Sequence, residues 1–131
     1  MTRVQLSSTT IKDALKIADN FCKNHLKEEN ELCFKIMLVY EELLTNIFKH
    51  SVKLGSTFVD IEMKNKNNAV VIEFVYDGGG FDPTNYRDKR IDEPFSEKKE
   101  EGGFGLFLAA EFSKRFEYKR AEGLNRIYVE V

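Results

Sequence analysis

No apolar stretch in this 131-residue chain approaches the roughly 20 residues needed to cross a bilayer, and Met1-Thr2-Arg3 leads into a polar stretch with no secretory core. The cytoplasm is therefore the expected location, and no membrane partner is implied. The chain holds only 2 Cys and 2 His, with no Cys-x-x-Cys pairing, so neither a zinc site nor a disulfide framework is indicated. Cys22 and Cys33 read as reduced, buried thiols. Charge of one sign is also missing: 20 Lys and Arg stand against 22 Asp and Glu, a formal net charge of −2. No basic field points to direct nucleic-acid contact. There is no internal repeat and no low-complexity tract.

The supply of apolar residues, 42% of the chain and including 11 Phe, suits one compact domain over 1–131 with a real core. Ile11, Leu15, Ala18, Cys22 and Leu26 recur at helical steps, predicting a helix from Thr9 to Leu26 capped by Ser8 or Thr9. Leu32, Ile36, Val39, Leu43 and Ile47 form the stripe of a second helix, Glu31 to Val52, ended by Gly55. Thr57 to Lys64 and Ala69 to Tyr76 are β-rich, and Asn65-Lys66-Asn67-Asn68 between them is turn chemistry, so they should pair as a hairpin. Three glycines and a proline make Asp77 to Pro83 irregular, and the charged, poorly periodic run 84–101 reads as a lid or long loop. A helix from Leu106 to about Lys114 follows, then strands Phe116 to Ala121 and Arg126 to Val131 around the turn 122–125. The expected fold is α+β, with helices on one face of a mixed or antiparallel sheet.

Three segments carry possible chemistry. Glu42 and Asn46 stand four residues apart on one helical face, where a carboxylate can take a proton and an amide oxygen can hold Mg²⁺. The same spacing also occurs on solvated helix faces. Gly102-Gly103-Phe104-Gly105 runs into a helix, so its backbone N–H groups can meet a phosphate; equally, the glycines can serve tight chain reversal. The segment lacks the Lys-Ser/Thr ending of a P-loop and does not follow a strand as a dinucleotide fingerprint does. Asp77, at a strand exit, can accept a hydrogen bond from an exocyclic base amine or form an Asx turn. His50, one turn beyond Asn46, is a supporting candidate or a helix-end residue.

In this order, Glu42-x-x-x-Asn46, Asp77-Gly78-Gly79-Gly80-Phe81-Asp82-Pro83 and Gly102-Gly103-Phe104-Gly105-Leu106, the segments resemble the N, G1 and G2 boxes of the GHKL ATPase superfamily, whose fold is the Bergerat-type ATP-binding sandwich. The run Glu41 to His50 and the Phe81-Asp82-Pro83 ending are most similar to the stand-alone anti-sigma-factor serine/threonine kinases. The resemblance implies ATP and Mg²⁺ as cofactors, Glu42 as the catalytic base and Asn46 as the metal ligand. It implies that Asp77 selects adenine, that Gly79 and Gly80 line the base, and that Gly102, Gly103, Phe104, Gly105 and Leu106 hold the phosphates under the lid, with His50 nearby. The chain departs from the family pattern in one place. Asp77 to Phe81 is one residue shorter than the usual Asp-x-Gly-x-Gly before the Phe, which leaves the register of Gly79 and Gly80 open.

No phospho-accepting histidine domain is expected before these boxes, and no transducer, topoisomerase or repair domain is expected after them. The resemblance therefore implies an ATP- and Mg²⁺-dependent protein serine/threonine kinase acting as an anti-sigma factor in transcription regulation. Its partners would be a STAS-domain anti-anti-sigma protein, an RNA polymerase sigma factor and, as a homodimer, a second copy of the chain. A nucleotide-gated protein-binding module with little or no kinase activity is the alternative.

Overall fold

A computed structural model describes residues 1–80, 82–85 and 103–131. The chain opens with β1 (Thr2–Gln5), followed by α1 (Ile11–His25) and α2 (Asn30–Asn46). Thr10, rather than Ser8 or Thr9, caps α1: its extended backbone lets the hydroxyl accept the Asp13 N–H at 3.1 Å. Beyond Asn46 the expected continuous helix becomes a π turn, Ile47–Ser51, and then a 3₁₀ turn, Val52–Leu54. Gly55 ends it at φ +95°, a left-handed conformation that glycine adopts without strain.

β2 (Phe58–Lys66) and β3 (Ala69–Tyr76) form the expected hairpin, longer than the sequence pattern indicates because only Asn67 and Asn68 lie in the turn. A 3₁₀ turn at Pro83–Asn85, α3 (Gly103–Phe112), β4 (Arg115–Ala121) and β5 (Leu124–Glu130) complete the order. The turn between β4 and β5 is Glu122-Gly123, both at positive φ, so β5 begins two residues earlier than predicted. The sheet runs β1-β2-β3-β5-β4 and every pairing is antiparallel, which decides between the mixed and antiparallel alternatives.

Helices cover one face of this sheet. The inward rows Val59 and Ile61 of β2, Val70, Ile72, Phe74 and Tyr76 of β3, and Ile127 and Val129 of β5 are all buried. They pack with Ala14, Ala18 and Cys22 of α1, Ile36, Val39, Tyr40, Leu43 and Leu44 of α2, and Leu106 and Ala109 of α3. The outward rows carry the balanced charges of the composition as ion pairs: Arg3 grips Asp60 with two bonds of 2.8 and 2.9 Å, and Arg126 meets Glu73 at 2.7 Å. In each pair the arginine is half exposed while its carboxylate is largely covered, and the apolar face holds the fold together. Among the described residues, no helix is long and apolar enough to cross a membrane.

The Tyr40 hydroxyl, fully buried, donates to the Ala14 carbonyl at 2.6 Å and ties α2 to α1. Tyr40→Phe should cost about 1 kcal/mol and lower Tm by about 4 °C, without affecting any ligand site. Chemical denaturation of the two proteins measures this; equal stability would show that the bond contributes nothing net.

Candidate functional site

α2 presents Glu42 and Asn46, both half-buried, while Glu41 beside them is exposed. The Asn46 side-chain N–H donates to the Glu42 carbonyl of its own helix at 2.8 Å. Since a carbonyl can only accept, this bond fixes the amide orientation and engages Nδ2, not Oδ1. That oxygen suits a hard cation such as Mg²⁺. Burial raises the Glu42 carboxyl above the ordinary glutamate value, the neighbouring Glu41 charge raises it further, and Lys49 partly offsets both. A carboxylate so placed is a better proton acceptor than an exposed one.

The π turn sets the surroundings. Each π turn takes more residues than an α turn, so side chains after Asn46 are displaced around the helix axis from the positions that plain four-residue spacing implies. His50 therefore does not simply extend the Glu42–Asn46 row. Its pKa is lowered by burial first and then by Lys53 and Lys49, which keeps it neutral at pH 7. Ser51, the last residue of the turn, is fully buried, and its hydroxyl has no well-formed hydrogen bond among the described residues.

α2 packs against α3. Gly103, Phe104, Gly105 and Leu106 are the first four residues of α3, whose N–H groups have no intrahelical acceptor and share the positive end of the helix dipole. The Leu106 side chain is buried in the core, so only its backbone is suited to a phosphate. Gly102 and the lid beyond Asn85 lie outside the described residues.

The glycine loop differs from expectation. Side chains alternate along β3: Phe74 and Tyr76 point inward, and Val75 and Asp77 outward. Asp77 thus stands on the open face, where its carboxylate accepts the Thr57 N–H at 2.7 Å, the Phe58 N–H at 3.1 Å and the Thr57 hydroxyl at 2.5 Å. Burial pushes its carboxyl up, but these bonds outweigh it and hold the value below the ordinary 3.8. In this structure the Asp77 carboxylate, expected to select adenine, braces the start of β2. Gly79 lies close against the turn that precedes β2. Its N–H donates to the Leu54 carbonyl at 2.7 Å, and an added Cβ would meet Leu54 at 3.2 Å. The tightest position is Gly78, at φ +92°, where a Cβ would fall 2.6 Å from Ser56.

A network absent from the sequence reading holds this loop from the other side. The Asn125 amide, fully buried, donates to the Tyr76 carbonyl at 3.2 Å, while its oxygen accepts from the Tyr118 hydroxyl at 2.6 Å and from Arg120 at 3.0 Å. Arg120 also donates to the Gly78 carbonyl at 2.6 Å, and Gly80 packs beneath it, 3.1 Å from an added Cβ to the arginine Cδ. One signal was available. Asn125 occupies an inward position of the row Asn125, Ile127, Val129, Val131, where a polar residue needs partners.

A family model, that of the histidine kinase-like ATPase domain, matches residues 4–130. The chain belongs to this family. No curated protein sequence matches it significantly. Membership indicates an ATP-binding function of the GHKL type.

Two outcomes are expected. Asn125→Ala leaves buried carbonyl and hydroxyl groups without partners, so this histidine kinase-like domain should lose about 2–4 kcal/mol and exchange amide protons faster at 77–80. Unchanged exchange there would show that the loop holds itself. Asp77, with a pKa depressed in the fold, stabilises above its unfolded value and loses that contribution as pH falls through the folded one. Asp77→Asn should therefore be less stable at neutral pH, and the gap to wild type should close below pH 3.8. A gap constant with pH would remove the carboxylate from the brace.

Proposed function

We propose that this ATPase-family domain is an ATP- and Mg²⁺-dependent protein serine/threonine kinase acting as an anti-sigma factor in a partner-switching system. Its substrate would be a STAS-type antagonist, whose phosphorylation frees the kinase to hold a sigma factor. The observation that carries the reading is the half-buried Glu42 carboxylate one helical turn from Asn46, whose amide is oriented by its bond to the Glu42 carbonyl. The similarity of Glu41 to His50 and Phe81-Asp82-Pro83 to the anti-sigma-factor kinases supports the substrate class.

Bound Mg²⁺·ATP supplies the γ-phosphoryl group and part of the charge neutralisation. Asn46 contributes an oxygen ligand, and the N–H groups opening α3 hold the phosphate oxygens. Glu42 orients the serine hydroxyl of the partner and takes its proton. Positioning of this kind supplies most of the rate in phosphoryl transfer. The alternative is a nucleotide-gated binding module with little kinase activity.

Glu42→Gln distinguishes the two. With its pKa raised in the fold, the carboxylate costs stability once pH exceeds its unfolded value, so at neutral pH the glutamine protein should be more stable than wild type. Partner binding should persist while phosphoryl transfer falls by about 10²–10⁴-fold. The check is transfer from labelled ATP to the purified antagonist, with Tm measured in parallel. Equal phosphorylation by both proteins would remove Glu42 from the mechanism, and none by either, with binding intact, favours the binding module.

A further inference from the structure

The inward end of β3 carries a residue to which the motifs assign no role. Tyr76 is the last inward side chain before the glycine loop, opposite Val59 of β2, and is 1% exposed. Its phenol neighbours Tyr118, Ser51, Asp82 and Arg120, groups drawn from β4, the π turn and the loop exit. Of the two carboxylates near the loop, Asp77 is committed to Thr57 and Phe58 on the opposite face. Asp82 is committed to Thr84, accepting its N–H at 2.9 Å and its hydroxyl at 2.5 Å. Among the described residues, the polar groups left facing inward are two hydroxyls, those of Tyr76 and of the buried Ser51, which lie within reach of each other without forming a well-aligned hydrogen bond.

We infer that Tyr76, assisted by Ser51, meets the nucleotide base where the family places an adenine-selecting carboxylate, and that this chain accepts ATP and GTP alike. The inference rests on the nucleotide-binding reading above. Adenine presents an amine donor at C6, whereas guanine presents a carbonyl acceptor. A carboxylate accepts from the first and repels the second. A hydroxyl rotates to accept from one or donate to the other, so neither base leaves a buried group unpaired and the basis for discrimination is lost. Burial raises the Tyr76 pKa far above neutrality, so the phenol keeps the proton it needs to donate.

The register explains the exchange. The stretch from Asp77 to Phe81 is one residue shorter than the family's usual Asp-x-Gly-x-Gly before Phe, and a slip of one residue on a strand moves a side chain to the other face. Counted back from Phe81, the usual position of the carboxylate is residue 76.

Calorimetry with Mg²⁺·ATP, Mg²⁺·GTP and Mg²⁺·tripolyphosphate on the intact chain tests this. Wild type should bind ATP and GTP with Kd values within about threefold of each other, and Asp77→Asn should keep both values while losing thermal stability. Tyr76→Asp, which puts a carboxylate at the inward position, should favour ATP by tenfold or more; if it does not fold, wild type and Asp77→Asn still decide. A tenfold preference for ATP in wild type overturns the inference and leaves the nucleotide site standing, and its loss in Asp77→Asn would return base selection to Asp77. Absence of binding by all three ligands overturns the inference and the nucleotide reading together.

Discussion

Asn125 is the point on which the site's geometry depends. A carboxamide has two donors and an acceptor, and here it is sealed between the sheet and the loop, where water cannot substitute for a missing partner. It reaches the Tyr76 carbonyl with its amide and gathers Tyr118 and Arg120 onto its oxygen. Arg120 then closes on the Gly78 carbonyl. Three strand ends and an irregular loop are thereby held in one arrangement. The glycines follow from that closeness: at Gly78 a single methyl group would collide with Ser56.

The two halves of the site are built differently. The phosphate and metal end proposed above would rise from helices whose other faces are fixed in the core, where Leu43, Leu44 and Leu106 are buried. Its chemistry carries a cost in stability, because Glu42 is held partly out of water with Glu41 next to it. Folding alone would favour an uncharged residue there. The base end is made of strand termini and turns, where a change of one residue in length redirects every side chain that follows.

Much of the fold could be read in the sequence because its elements carry clear periods. The α1 stripe and the β2–β3 hairpin are cases where apolar spacing and turn residues agree. β1 was not legible: four residues with one inward apolar position, Val4, have no period, and the strand exists because β2 offers an edge to pair with. The π turn was equally hidden, since Ile47 to Ser51 has the composition of an ordinary helix end. At the site, Glu42 and Asn46 were legible because helical spacing brings i and i+4 together whatever the tertiary structure. For Asp77, the motif carries identity and not direction. Which face a strand-end residue takes depends on the register of its strand, and here Tyr76 occupies the inward position.

That contrast bears on how a family match over residues 4–130 coexists with an altered residue at the base. What the fold requires of the loop is backbone geometry: the left-handed conformation at Gly78, the Gly79 bond to Leu54 and the carbonyls that Asn125 and Arg120 reach. None of these depends on which side chain faces inward at residue 76. A buried phenol fills that position with apolar ring and one hydroxyl, avoiding the desolvation of a charge. Selection for a stable loop and selection for a particular base are therefore separable in this architecture. The first acts through glycines and Asn125, the second, on the inference drawn above, through the side chain at residue 76.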